Sequence, residues 1–163
     1  MLTISPLLLA DWPAVRRIYA EGVATGRATF DTEIPEWEAW DTGHLPAPRL
    51  VARDAGAVVG WAALGPVSSR PCYRGVAEVS IYVARAAQGR GAGRRLLEAL
   101  VTASEEAGIW TLHSSIHADN EVSVRLHQRC GFRLVGRRER IARRADGWAD
   151  TMIMERRSDV VGL

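Results

Sequence analysis

Residues Val79 to Leu97, with the sequence VSIYVARAAQGRGAGRRLL, decide the fold and indicate the chemistry. The stretch begins with alternating side chains that are typical of a strand, and it ends with the spacing of an amphipathic helix. Between these two parts, Gly89, Gly91 and Gly93 occupy alternate positions. Glycines let the backbone turn sharply and leave its amides accessible to a ligand. Because the N-terminus of a helix attracts anions, the stretch predicts a strand, a pyrophosphate-binding loop and a helix.

Two common phosphate-binding motifs do not fit this loop. A dinucleotide fingerprint needs a third glycine where Arg94 stands, and an acidic residue about twenty positions on, where the chain has His113. The P-loop requires a lysine, and all 21 basic residues of this chain are arginines. The alternative that the glycines only form a turn is disfavoured by their position between a strand and an amphipathic helix.

The rest of the chain predicts the element order βααβββαβαββ, a mixed α/β sheet covered by helices. Asp11 and Asn120 are expected to cap helices, and Gly108 and Gly131 to end them. The helix after the glycine loop is expected to bury Leu96, Leu97, Leu100, Val101 and Ala107. The predicted strands are Leu2–Ser5, Arg49–Arg53, Ala57–Leu64, Val76–Val83, Trp110–His117, Phe132–Arg143 and Trp148–Arg156. We expect one domain over residues 1–158 and a C-terminal tail over residues 159–163.

Composition restricts the class of protein and the partners. The chain has 163 residues, of which 47% are hydrophobic and 25% are charged, as in ordinary globular domains. Its net charge of +2 is too small to predict a nucleic acid or an anionic membrane as partner. The two cysteines and four histidines lack the spacing of a metal site. No run is apolar enough for a signal peptide or a membrane span, so we expect a cytoplasmic protein.

The segment Gln88-Gly89-Arg90-Gly91-Ala92-Gly93 resembles the Q/R-x-x-G-x-G/A signature of the GNAT acetyltransferases. Five further stretches are similar to one branch of that family, the phosphinothricin and methionine-sulfoximine N-acetyltransferases. They are Ala28–Glu33, Arg70-x-x-Tyr73, Glu78-x-Ser80-x-Tyr82-Val83, Ser123-x-x-Leu126-His127-x-x-x-Gly131-Phe132 and Gly147-Trp148-x-Asp150. The resemblance implies a mostly antiparallel sheet, direct acetyl transfer from acetyl-CoA to a small amine, and a homodimer joined through the terminal hairpin.

The same resemblance implies which residues contact acetyl-CoA. The glycine loop would hold the pyrophosphate, and backbone amides of the preceding strand would bind the thioester oxygen. Asn120 would contact the cofactor and also cap its helix. The expected contacts are Ile81, Tyr82, Val83, Gln88, Gly89, Arg90, Gly91, Ala92, Gly93, Arg94, Asn120 and Ser123.

Two residues are candidates for proton transfer. Glu78 precedes the glycine loop on the strand, and we expect it to be buried and to deprotonate the substrate ammonium, directly or through water. The alternative is a surface or salt-bridged glutamate on an edge strand. His127 occupies the position where many relatives carry a tyrosine that is proposed to protonate the CoA sulfur. It either donates that proton or only packs beside the cofactor.

Substrate recognition is expected to involve Phe30, Arg70 and Tyr73. Arg70 is suited to bind a substrate carboxylate in a bidentate manner, Phe30 to pack on the aliphatic part, and Tyr73 to close the site. Phe30 is equally consistent with a loop anchor in the core. Ser68 stands where relatives often have a second arginine. Alternative acceptors are a protein N-terminus, a polyamine or an antibiotic, and a non-catalytic acyl-CoA-binding module is also compatible with the loop.

Overall fold

The computed structural model describes all residues 1–163 and contains one seven-stranded sheet in the order β1-β2-β3-β4-β5-β7-β6. Its element order is the one predicted from the sequence, apart from three short 3-10 turns. No helix has both the length and the apolar character needed to cross a bilayer. The strands are β1 Leu2–Pro6, β2 Arg49–Asp54, β3 Ala57–Pro66, β4 Val76–Val83, β5 Thr111–His117, β6 Arg133–Arg144 and β7 Gly147–Arg157, and the helices are α1 Trp12–Thr25, α2 Trp37–Thr42, α3 Ala92–Glu106 and α4 Glu121–Arg129.

The centre of the sheet is divided between β4 and β5. All other neighbouring strands are antiparallel, whereas these two run parallel. They pair only where Val76–Glu78 faces Thr111–His113. Beyond Glu78 the register ends and the two strands separate, so the second half of β4 has a partner on one side only. This division creates the cavity described below.

Each face of the sheet has its own core. Leu96, Leu97 and Leu100 of α3 are fully buried against one face. On the other face, α1 and α2 pack against Trp61, with Trp40 in contact with its ring at a centroid distance of 5.4 Å. The two helical layers therefore enclose the sheet as the sequence predicts.

Two details of the helices differ from the sequence prediction. Ala107 was expected on the buried side of α3 but is exposed, because the helix ends at Glu106 and Gly108 reverses the chain at φ +78°. Asp11 precedes α1 without capping it. Its carboxylate instead accepts hydrogen bonds from the Leu8 amide at 2.9 Å and the Arg53 guanidinium at 2.8 Å. Asp11 thus joins α1 to β2.

The C-terminal residues fold back onto the domain. The hydroxyl of Ser158 donates to the Glu105 carboxylate at 2.8 Å and accepts from the Val160 amide at 3.0 Å. The guanidinium of Arg157 donates to the Val161 carbonyl at 3.0 Å. The segment that the sequence predicts as a tail is therefore tied to α3 and β7.

Candidate active site

A cavity of about 480 Å³ occupies the gap where β4 and β5 separate. The loop between α1 and α2 closes one side of it, and the first turn of α4 contributes to the other. Among its lining side chains the carboxylates of Asp31 and Glu78 are present, but no arginine or lysine is. No group of three or more histidine, cysteine or acidic side chains is arranged to hold a metal ion.

Glu78 lies at the point where the two strands part. It is the last residue of β4 that pairs with β5, opposite His113, and it lines the cavity. The expectation that it is buried is wrong, because the strands begin to separate here and leave its side chain exposed. Of the alternative, the edge strand and the salt bridge are wrong, since β4 is central in the sheet and Glu78 forms no ion pair, whereas a surface position is what the structure shows. A free carboxylate therefore faces the cavity.

The amides of Ile81 and Val83 face the same gap. The Ala84 amide donates to the Val59 carbonyl of β3 at 2.8 Å. Because amides alternate in direction along a strand, those of Ile81 and Val83 point away from β3, whereas the Tyr82 amide points towards it. These two amides lie beyond the pairing with β5. Of the three residues whose amides were predicted to bind the thioester oxygen, Ile81, Tyr82 and Val83, only Ile81 and Val83 thus direct an amide into the gap.

The side chain of Tyr82 belongs to the aromatic wall of the cavity. Its ring stacks on Trp61 at a centroid distance of 4.9 Å and meets Tyr19 edge-on at the same distance. Burial raises the pKa of Tyr82 to about 12, so its hydroxyl stays protonated at neutral pH. The Tyr19 hydroxyl donates to the carboxylate of Asp31.

The glycine loop joins β4 to α3 and ends beside the gap. Gly89 and Gly91 have φ values of +74° and +86°, which other residues rarely adopt, and Gly91 is the N-cap of α3. Gly93 has a different role, because a Cβ there would approach Leu126 of α4 to 3.4 Å. No acceptor within the chain takes a hydrogen bond from the backbone amides of residues 89–94. This segment therefore offers six consecutive free donors at a helix N-terminus.

The charged and polar side chains of the loop have partners elsewhere. Arg90 forms an ion pair with Asp54 at 2.7 Å, and Arg94 forms one with Glu98 at 2.7 Å. The amide nitrogen of Gln88 lies 3.5 Å from the Val83 carbonyl. The backbone, not these side chains, thus supplies the donors that are free in this structure.

His127 of α4 is buried, with 1% of its surface exposed. Its Nδ1 lies 2.7 Å from the Ser123 carbonyl, and its Nε2 lies 3.0 Å from the Ser114 hydroxyl. Because a carbonyl only accepts, Nδ1 carries the proton and Nε2 accepts from Ser114. Burial lowers the pKa of His127. This geometry favours the packing alternative, in which the imidazole is neutral and orients the Ser114 hydroxyl.

Acid should destabilise the fold through His127. Since its pKa is lowered in the folded state, the unfolded chain binds a proton first as the pH falls below about 6.5. We therefore expect that, below this pH, His127 alone lowers the free energy of unfolding by up to about 1.4 kcal/mol for each unit by which the pH falls. Urea denaturation at about pH 7.5 and pH 5.5 measures it. His127→Gln should lose part of this dependence, and an identical pH dependence in both proteins would contradict the prediction.

The three predicted substrate residues occupy different places. Phe30 lines the cavity and stacks on His117 at a centroid distance of 4.2 Å. Arg70 and Tyr73 lie on the exposed loop between β3 and β4 and do not line the cavity. Asn120 caps α4 by accepting from the Ser123 amide at 3.2 Å, and both residues line the cavity. The gap therefore brings together Glu78, Phe30 and the start of α4, and leaves Arg70 outside.

Several cavity residues were not predicted from the sequence. They are Tyr19, Asp31, His44, Trp40, Trp61, Ser114 and His117. These residues come from six separate elements or loops, so no single local motif connects them. Two signals were available: Asp31 lies in the Ala28–Glu33 stretch quoted above, and the alternation of Ser115 and His117, which both line the cavity, puts them on the same face of β5.

Comparison with known proteins shows the family of this chain. Residues 11–132 match the model of the Acetyltransferase (GNAT) family. The L-methionine sulfoximine/L-methionine sulfone acetyltransferase of Pseudomonas aeruginosa is 31% identical over 153 residues, covering 90% of this chain and 89% of that protein. The phosphinothricin N-acetyltransferase of Alcaligenes faecalis is 37% identical over 154 residues, covering 90% of this chain and 77% of that protein.

A solved structure gives the same result for the fold. The GNAT superfamily phosphinothricin acetyltransferase of Sinorhizobium meliloti, in complex with AcCoA, superposes with a TM-score of 0.90. It is 30% identical, and the match covers 99% of this chain and 90% of that one. The chain therefore belongs to the GNAT acetyltransferase family, a family of acetyl-CoA-dependent acyltransferases. Its similar proteins include the phosphinothricin and methionine sulfoximine/sulfone N-acetyltransferases.

Proposed function

We propose that the protein transfers the acetyl group of acetyl-CoA directly to the amino group of a small amino-acid-like substrate. The observation that carries this proposal is the gap between β4 and β5, which has free amides at one end and a free carboxylate, Glu78, at the other. The pyrophosphate of acetyl-CoA would bind the amides of residues 89–94. The thioester would then extend along β4 towards the cavity.

Other predicted cofactor contacts follow from this placement. We propose that the side chains of Gln88, Arg90, Arg94, Asn120 and Ser123 line the path from the loop to the cavity, and that Ala92 and Gly93 contribute through their amides. Arg90 and Arg94 are exposed and held by single surface ion pairs, which cost little to exchange for a phosphate. We propose the backbone as the main contact and these side chains as additions to it.

The reaction begins with a proton transfer to Glu78. Its carboxylate takes a proton from the substrate ammonium, directly or through one water. The neutral nitrogen attacks the thioester carbon, a C–N bond forms, and the carbonyl electron pair moves to the oxygen. When the tetrahedral intermediate collapses, the C–S bond breaks and sulfur leaves with the bonding pair. The surplus proton on the nitrogen ends on that sulfur, which gives an amide and CoA thiol.

The amide of Ile81 is proposed to stabilise the negative oxygen of the intermediate. It is directed into the gap and lacks a partner on β5, so it can donate without a backbone rearrangement. The Val83 amide, two residues nearer to the glycine loop, would bind the pantetheine part of the cofactor. His127 acts as a positioning residue in this scheme, because its neutral Nε2 holds the Ser114 hydroxyl.

The substrate class follows from the relatives and from the charge of the cavity. Relatives named for methionine sulfone, methionine sulfoximine and phosphinothricin support an amino-acid analogue. Phe30 would pack on its aliphatic part, and Arg70 and Tyr73 would meet its carboxylate at the cavity entrance. The two lining carboxylates, Asp31 and Glu78, favour the ammonium group. They equally favour a polyamine, which is the second candidate substrate.

A homodimer is proposed through the hairpin of β6 and β7. This hairpin leaves Val135, Ile141 and Trp148 exposed, with 57% of the Trp148 surface accessible. Exposed apolar side chains on one protruding element are typical of a contact between subunits. The hairpin also carries Asp150, whose pKa is held low by the Arg140 amide and the Arg137 guanidinium.

Thiol release from acetyl-CoA tests the proposed activity. We expect turnover with L-methionine sulfone, L-methionine sulfoximine or phosphinothricin, and little with spermidine or a short peptide. Turnover with spermidine alone would shift the assignment to the second candidate. Silence with every amine, while acetyl-CoA binds, would contradict catalysis on these substrates and support a non-catalytic acyl-CoA-binding module.

A further inference from the structure

His117 is the last residue of β5 and lines the cavity. Only 3% of its surface is exposed. Its ring stacks on Phe30, and its Nδ1 lies 3.1 Å from a guanidinium nitrogen of Arg144. Arg144 is itself held by Asp119 and Asp146, each at 3.2 Å. The orientation of the imidazole is therefore fixed on two sides.

These contacts determine which ring nitrogen carries the proton. A guanidinium only donates, so Nδ1 of His117 accepts and the proton is on Nε2. Burial and the neighbouring Arg144 lower the pKa of His117, which agrees with a neutral ring. The Nε2 atom is buried and has no hydrogen-bond partner in the chain. It points away from Arg144, because the two nitrogens lie on different edges of the ring.

A buried donor without an acceptor is costly, and such groups are rare in folded proteins. His117 lines the cavity, and a bound molecule that displaces the side chains covering Nε2 would supply the missing acceptor. The charge of the cavity restricts that acceptor. The cavity is lined by the carboxylates of Asp31 and Glu78 and by no cation, so the charge of an anionic acceptor would be poorly compensated. A neutral, strongly polar oxygen needs no such compensation.

We propose that His117 is a specificity-determining residue whose Nε2–H donates a hydrogen bond to a neutral sulfur-bound oxygen of the substrate side chain, as in a sulfone or sulfoximine. This inference rests on the proposed acetyl transfer and makes it more specific. Phe30, stacked on the same imidazole, would contact the methylene groups that lead to that oxygen. The substrate carboxylate would stay near Arg70, outside the cavity.

L-methionine sulfone and L-methionine form a matched pair for the test, since they differ only in the two sulfone oxygens. We expect the unmodified protein to favour the sulfone in kcat/KM by about 10-fold or more, because the site rejects a substrate that leaves its donor unpaired. His117→Phe keeps an aromatic ring on Phe30 but removes the donor, so this preference should fall by about 10-fold, mainly through KM. His117→Gln retains an N–H donor and should keep most of the preference for the sulfone.

A second measurement does not depend on turnover. The Nε2 proton of His117 in ¹⁵N-labelled protein should move downfield on addition of L-methionine sulfone and not on addition of L-methionine. Equal losses on both substrates in His117→Phe, or none, would overturn the inference while leaving the proposed activity intact. A downfield shift without acetylation would contradict the activity and support the role of His117. If neither the shift nor acetylation were observed, the role of His117 and the proposed activity would both be overturned.

Discussion

Glu78→Gln should lower kcat with L-methionine sulfone by about 100-fold or more and leave the affinity for acetyl-CoA unchanged. The amide is close in size to the carboxylate but cannot take a proton from the substrate ammonium. Glu78 makes no ion pair, so the exchange removes no contact that holds the fold. Steady-state kinetics and calorimetric titration with acetyl-CoA measure the two effects separately.

Glu106→Gln is the matched control for this variant. Glu106 is exposed at the end of α3 opposite to the glycine loop, and it forms no ion pair. We expect it to keep full activity. If Glu78→Gln retained the activity of the unmodified protein, another group would have to take the proton, and the assignment of Glu78 as base would be wrong. Recovery of the lost rate at high pH would instead support it, because free amine then becomes the substrate.

Gly91→Val should weaken acetyl-CoA binding by on the order of 100-fold. Gly91 has φ +86°, where a β-branched residue is strained, and it is the N-cap of α3. If the backbone rotates to relieve this strain, the amides of residues 89–94 no longer point together at the site proposed for the pyrophosphate. Each charge-assisted hydrogen bond lost to the pyrophosphate costs about 1.5–3 kcal/mol, so two account for the expected loss.

Gly108→Val separates strain from ligand binding. Gly108 follows the opposite end of α3 with φ +78°, and like Gly91 it has no atom within 4 Å of its Cβ position. Both variants should therefore lose a similar free energy of unfolding, about 1–2 kcal/mol. Only Gly91→Val should lose affinity for acetyl-CoA. Equal acetyl-CoA affinity in the two variants would show that the loop does not hold the cofactor.

The local features of the fold could be predicted from the sequence because their signals are local. The alternation of Val79, Ile81 and Val83 fixes a strand, the glycines fix the loop, and Asn120 caps α4 through a contact three residues away. These elements also contain the candidate base and the cofactor loop. The element order followed from the same signals.

The environment of each side chain could not be predicted, because it depends on long-range packing. Glu78 is exposed since β4 and β5 separate at that residue, and no pattern in either strand encodes where two strands part. His127 depends on Ser114 of β5 for its second partner. The donor of His117 was missed for the same reason, since Arg144 on β6 decides its tautomer.

The most direct test is product analysis after incubation of the protein with [1-¹³C]acetyl-CoA and L-methionine sulfone. We predict N-acetyl-L-methionine sulfone in amounts equal to the CoA thiol released, with the label in the new amide and none on the protein. That result supports direct transfer in the gap between β4 and β5. Label on the protein, or thiol released without N-acetylated product, would contradict it.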